Sequence, residues 1–182
     1  MIRYSRKSHI SSYRSSCITN GKRSINSKAA FFILKAGARH VSDGGKLISI
    51  GTALLAAFTG NYTSYAGSKA PLEHFTRGLA KELLGRGISV NCVAPGPMDT
   101  RMLAFLSIVL SIATAILANS DKTLAFFYPQ ENEGSIAYLK SGAIGGRLTE
   151  VGDIAPVIKF LVTEGAWISG QTIFANGGFS TR

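Results

Sequence analysis

Tyr65 and Lys69 stand four residues apart in the run Ser64-Tyr65-Ala66-Gly67-Ser68-Lys69-Ala70. On a helix that spacing raises both side chains from one face, one turn apart. A nearby cation favours the phenolate, so a phenol that ordinarily titrates near pH 10 is drawn toward neutrality. Such a pair suits protonation of an alkoxide or deprotonation of an alcohol. An isolated Tyr-x-x-x-Lys is more often an accident of register on an exposed helix, so its surroundings must decide.

Thirteen residues before Tyr65 lies Thr52, just past the apolar run Lys46-Leu47-Ile48-Ser49-Ile50. That run is short, β-branched and bounded by Gly44-Gly45 and Gly51, the pattern of a buried strand. Thr52 is then expected at the carboxyl end of a strand, where open α/β sheets take their ligands. A second run, Ile88 to Val93, follows a helix closed by Gly85 and Gly87 and stops at Ala94-Pro95-Gly96-Pro97, with Thr100 shortly after. Two strands thus flank the helix of Tyr65 and end near one crevice.

With these residues in place the chain resembles the carboxyl-terminal part of a classical short-chain dehydrogenase/reductase. The segments that carry the likeness are Asn26–Phe32, Gly45–Thr52, Tyr65–Glu82, Asn91–Thr100 and Gly170–Gly178. The resemblance implies an NAD(P)-dependent oxidoreductase that passes a hydride between nicotinamide and a carbonyl or alcohol carbon. Tyr65 would be the acid/base, and Lys69 would lower its pKa and hydrogen-bond the nicotinamide ribose. Thr52 stands where the family usually has Ser and would donate to the substrate oxygen. Asn26 would close a proton relay. Pro95, Gly96 and Thr100 would form the turn that cradles the nicotinamide. For Asn26 and Thr100 plain capping or turn chemistry is the alternative.

The phosphate end of such a cofactor needs a glycine-rich turn between a strand and a helix. Neither Gly-x-x-x-Gly-x-Gly nor Gly-x-Gly-x-x-Gly occurs in the sequence, and the residue that would choose NAD or NADP is equally illegible. The expected fold is therefore a partial Rossmann-like, doubly wound parallel sheet that lacks its first βα units. The alternative function is an inactive truncated remnant, or a partner-binding half-domain without cofactor binding.

The net charge of +10 comes almost wholly from residues 1–39, which hold nine of the basic residues and no acid. Residues 1–24 have no apolar periodicity and read as a basic disordered arm; a mistaken gene start is preferred to a mitochondrial transit segment. No nucleic-acid module accompanies that charge, so nucleic acid is not expected as a partner. Met102 to Ala118 is an apolar run of seventeen within a probable insertion at 101–125, at the lower limit for a membrane helix. An exposed or loosely packed apolar helix is preferred there.

Residues 25–182 read as one domain, with helices over Asn26–His40, about Ser64–Leu84 and about Asp153–Thr163, and strands ending at Ile50, Val93 and Ala175. Pro71 predicts a local kink, and Trp167 is expected to pack beside the last strand. The strand ending at Ile50 should present an open edge, and its helices uncovered apolar faces that a second copy could bury. The expectation is a homo-oligomer, cytoplasmic or else mitochondrial, acting on a small carbonyl or alcohol. The two cysteines and three histidines show no metal-ligand spacing.

Overall fold

The computed structural model describes residues 24–57, 62–98 and 133–181. The basic arm, the apolar run and Thr100 lie outside them. Three strands form one parallel sheet in the order β1-β2-β3: β1 is Lys46–Ile50, β2 is Ser89–Pro95 and β3 is Thr172–Ala175. Ile48 pairs with Asn91, and Val93 with Ile173. Parallel strands covered on both faces need apolar residues on both sides of the pleat, and all of β2 is buried.

Helices cover both faces, as in a doubly wound sheet. On one, α1 (Ala30–His40) and α4 (Pro71–Glu82) bring Ala38, Leu79, Ala80 and Leu83 against Leu47, Ile88 and Val90. On the other, α6 (Val151–Thr163) places Ile154, Val157 and Leu161 over Ile48, Val93 and Ile173. Short helices α2 (Leu54–Ala57), α3 (Thr63–Lys69) and α5 (Glu133–Ser141) complete the described set. A π-helical turn, Ser24–Ala29, leads into α1.

Two further features fix the layers. Asn91, fully buried in β2, donates through Nδ2 to the Ile168 carbonyl at 2.7 Å and accepts the Gln171 amide at 3.1 Å, lacing the approach to β3 onto the sheet. Arg86 joins the turn after α4 to the turn after α1: it pairs with Asp43 at 2.7 Å and donates to the Ala38 carbonyl at 2.6 Å and to the Val41 carbonyl.

Departures from expectation are local. The helix of Tyr65 and Lys69 is two segments, α3 and α4, divided where Pro71 begins the second; a proline has no amide for the preceding turn and fits a first helical position. The last helix starts at Val151 rather than Asp153, because Glu150 and Asp153 form a reciprocal capping box. Trp167 does not pack beside β3; its side chain is 100 % exposed among the described residues. It lies in a turn between α6 and β3, and the sheet face behind that turn is filled by Ile168 and Leu161 instead.

Candidate active site

The tips of the three strands are stitched together by backbone hydrogen bonds. Gly51 donates to the Val93 carbonyl at 2.7 Å, Ala53 to the Pro95 carbonyl at 2.8 Å, and Gly96 to the Ala175 carbonyl at 3.2 Å. This junction holds Thr52, Pro95 and Gly96 at one end of the sheet, the carboxyl end. Close approach explains both glycines. A Cβ at residue 51 would lie 2.8 Å from Cys92 Sγ, and one at residue 96 would lie 2.5 Å from Thr149 Oγ1.

Lys69 reaches the same end from α3. Its Nζ donates to the carbonyl of Ile50, the last residue of β1, at 3.2 Å. Burial pulls the Lys69 ammonium below its ordinary range. Burial likewise pushes the neighbouring Cys92 thiol up, and the charge interaction between the two opposes both shifts only in part. A buried hydroxyl pair, Ser49 and Thr76 at 3.1 Å, ties β1 to α4 below this point.

Tyr65, half-buried, stands one helical turn before Lys69. Thr52 is also half-buried; its Oγ1 accepts the Leu54 amide at 3.4 Å, which leaves its own proton available to donate. Asn26 sits in the π-helical turn, and its Nδ2 donates to Ser68 Oγ at 2.9 Å. Ser68 Oγ in turn donates to the Tyr65 carbonyl at 2.7 Å.

The described fold therefore brings Thr52, Pro95, Gly96 and the Lys69 ammonium to the strand tips, with Tyr65 one helical turn before Lys69, and links Asn26 through Ser68 to the Tyr65 backbone carbonyl. It says nothing of Thr100. Sequence reasoning passed over Ser68 and the Ile50 carbonyl. A serine three residues after Tyr65 and one before Lys69 signalled proximity, but its partner 42 residues away left no local trace.

A dinucleotide has two ends to satisfy. Gly96 at the tip of β2 and Lys69 at the tip of β1 are the described groups that could meet a nicotinamide end. Among the described residues no strand runs through a glycine-rich turn into a helix, so these residues answer for the nicotinamide end alone. An open groove of about 620 Å³, lined by Ser27, Lys28, Phe31, Gly67, Pro71 and Phe75, lies between the π-helical turn and the α3–α4 junction. Its lining shares none of the proposed catalytic residues, so it is not read as the active site.

A family model described as enoyl-(acyl carrier protein) reductase matches residues 22–120. An NADPH-dependent aldehyde reductase 2, chloroplastic, of Arabidopsis thaliana is 37 % identical over 158 residues, covering 85 % of this chain and 49 % of the relative. A short-chain type dehydrogenase/reductase of Picea abies is 35 % identical over the same shares. The chain spans about half the length of the curated relatives it matches. Among solved structures, a Burkholderia cenocepacia protein described as a putative dehydrogenase with bound NADP superposes with a TM-score of 0.70 at 44 % identity, covering 88 % of this chain and 53 % of that one. A blue fluorescent protein from a metagenomic library, in complex with NADPH, gives 0.62 at 32 % identity, covering 86 % and 54 %. These matches agree with the strand order and the Tyr-x-x-x-Lys helix: the chain belongs to the short-chain dehydrogenase/reductase family.

Proposed function

We propose that this chain carries the proton-transfer half of an NAD(P)-dependent oxidoreductase acting on a small carbonyl or alcohol. The observation that carries the reading is the meeting of Lys69 with the carboxyl end of β1, on the same helical turn as Tyr65. The nicotinamide, when bound, supplies or accepts the hydride. The remaining work belongs to the chain's own residues. Thr52 donates to the substrate oxygen and holds it toward Tyr65. Tyr65 gives its phenolic proton to the developing alkoxide, or takes it in the oxidative direction. The Lys69 ammonium favours the phenolate that results. Pro95 and Gly96, with Thr100, would bind the nicotinamide, and Asn26 would help carry the proton to solvent.

NADPH is the first cofactor to test, since two neighbours hold NADP or NADPH. The purified chain titrated with NADPH and NADH, followed by nicotinamide fluorescence, should show saturable binding. Silence to millimolar concentration refutes the enzyme reading for this chain. It would favour the second reading, a half-domain that joins a partner without cofactor. One observation supports that alternative: among the described strands, β1 pairs only with β2 and Ile50 is 44 % exposed at its tip. Phe31, Phe32 and Ile33 are also exposed on α1, which supports assembly with a second copy. Among the described residues no helix is long and apolar enough to cross a membrane.

A further inference from the structure

We propose that Ser68 is a positioning residue for Tyr65 and Lys69, its hydroxyl coupling the side chain of Asn26 to the backbone turn that carries the pair. The proposal rests on the proton-transfer reading above. A serine hydroxyl bonded to the carbonyl three residues back is common in helices and merely local. Here the same oxygen has a second partner. It accepts Asn26 Nδ2 at 2.9 Å while donating to the Tyr65 carbonyl at 2.7 Å. The Ser68 carbonyl is engaged as well, accepting Ser27 Oγ at 2.6 Å. Residue 68 is 4 % exposed, so water does not compete for these bonds.

The need for such a tie follows from Pro71. An α-helix would continue with the amide of residue 71 donating to the Gly67 carbonyl, and proline has none to give. The turn holding Tyr65 and Lys69 therefore ends on a missing bond. The described helix resumes with Glu73 donating to Ala70 at 3.3 Å, a looser contact. Across from this weak point stands a π-helical turn, Ser24–Ala29, a rare geometry that recurs at functional sites. Two of its polar side chains, those of Asn26 and Ser27, are spent on Ser68. Three bonds from one buried residue replace the helical continuity that Pro71 removes, next to the two groups whose separation the chemistry depends on.

The full chain tests this without any cofactor. Tyrosine labelled with ¹³C at the ζ carbon gives a ring signal for Tyr65, assigned with Tyr65→Phe, and backbone amide exchange reports residues 65–70. Ser68→Ala and Asn26→Ala should each shift the Tyr65 signal and leave that of Tyr138 in place. Each should speed exchange at 65–70 on the order of 5- to 10-fold while β2 is unchanged. The double variant should do no more than the larger single change, since both cut one link. Exchange rising uniformly through the sheet, effects that multiply in the double variant, or an unmoved Tyr65 signal would each overturn the proposal. Should Ser68→Ala not fold, Asn26→Ala alone decides by the same signal. Because neither readout needs turnover, failure of the reductase reading and failure of this link are separate results.

Discussion

Gly96→Ala strikes the junction on which the site is built. The added methyl would lie 2.5 Å from Thr149 Oγ1, 3.0 Å from Asn176 Cα and 3.1 Å from Asn176 Cβ. The Thr149 hydroxyl can turn aside. Asn176 cannot easily follow, because its side chain donates to Ser180 Oγ at 2.8 Å and accepts the Gly178 amide at 3.0 Å. The tips of β2 and β3 must then part, straining the Gly96–Ala175 hydrogen bond. Overpacking of this kind costs about 1–3 kcal/mol, and each kcal/mol lowers Tm by roughly 2–8 °C in domains of this size range. Thr149→Ala in the same background should restore part of the loss, because the Asn176 contacts persist. Gly78→Ala is the internal control: a methyl there meets nothing within 4 Å, and the helix interior of α4 should gain about 0.5–1 kcal/mol. Urea unfolding by far-ultraviolet circular dichroism reads all four proteins. A Gly96→Ala chain as stable as its parent would show that the strand tips are not packed as described.

Three further outcomes follow from other parts of the fold. Burial lowers the Lys69 pKa, so the unfolded chain binds the extra proton between the folded value and about 10.4. Stability relative to Lys69→Met should therefore rise with pH through that window and be flat below it; a difference that falls toward pH 10 would reverse the assignment. The Arg147 guanidinium holds the Asp153 carboxyl well below the usual carboxylate range, so its contribution to the start of α6 is present above about pH 4 and lost as pH falls below the folded value. Amide exchange of Val151–Ile154 measured down the acid range should accelerate earlier in Asp153→Ala, and identical profiles would remove the pair from the cap. Trp167, already exposed, should change its emission little when urea unfolds the chain, whereas a large red shift would place it in a core.

How much of this was legible beforehand differs from element to element. The strands were readable because β1 and β2 are short β-branched runs between glycines and prolines, and their parallel order follows once a helix separates them. The residues at their tips were readable for the same reason, since a strand's end fixes where Thr52, Pro95 and Gly96 must stand. Pro71 signalled a kink by its missing amide, but not that the helix would divide into α3 and α4 there. The π-helical turn was not legible, because Ser24–Ala29 has no composition that distinguishes it from the start of α1. Nor was the Asn26–Ser68 bond, whose partners are 42 residues apart and meet only through packing. Trp167 misled for a plainer reason: a large apolar side chain implies a core only where the fold leaves room. At β3 that room is already occupied by α6.

The central claim, that Tyr65 moves the proton, is met most directly by one comparison. Initial rates of NADPH consumption with a panel of aldehydes and ketones should be measured for the full chain and for Tyr65→Phe at matched folding. The account predicts measurable turnover that Tyr65→Phe lowers by roughly 10²- to 10⁴-fold, the usual worth of a positioned acid. A Tyr65→Phe chain that keeps the parental rate, or a parent that binds NADPH yet reduces nothing, would contradict it.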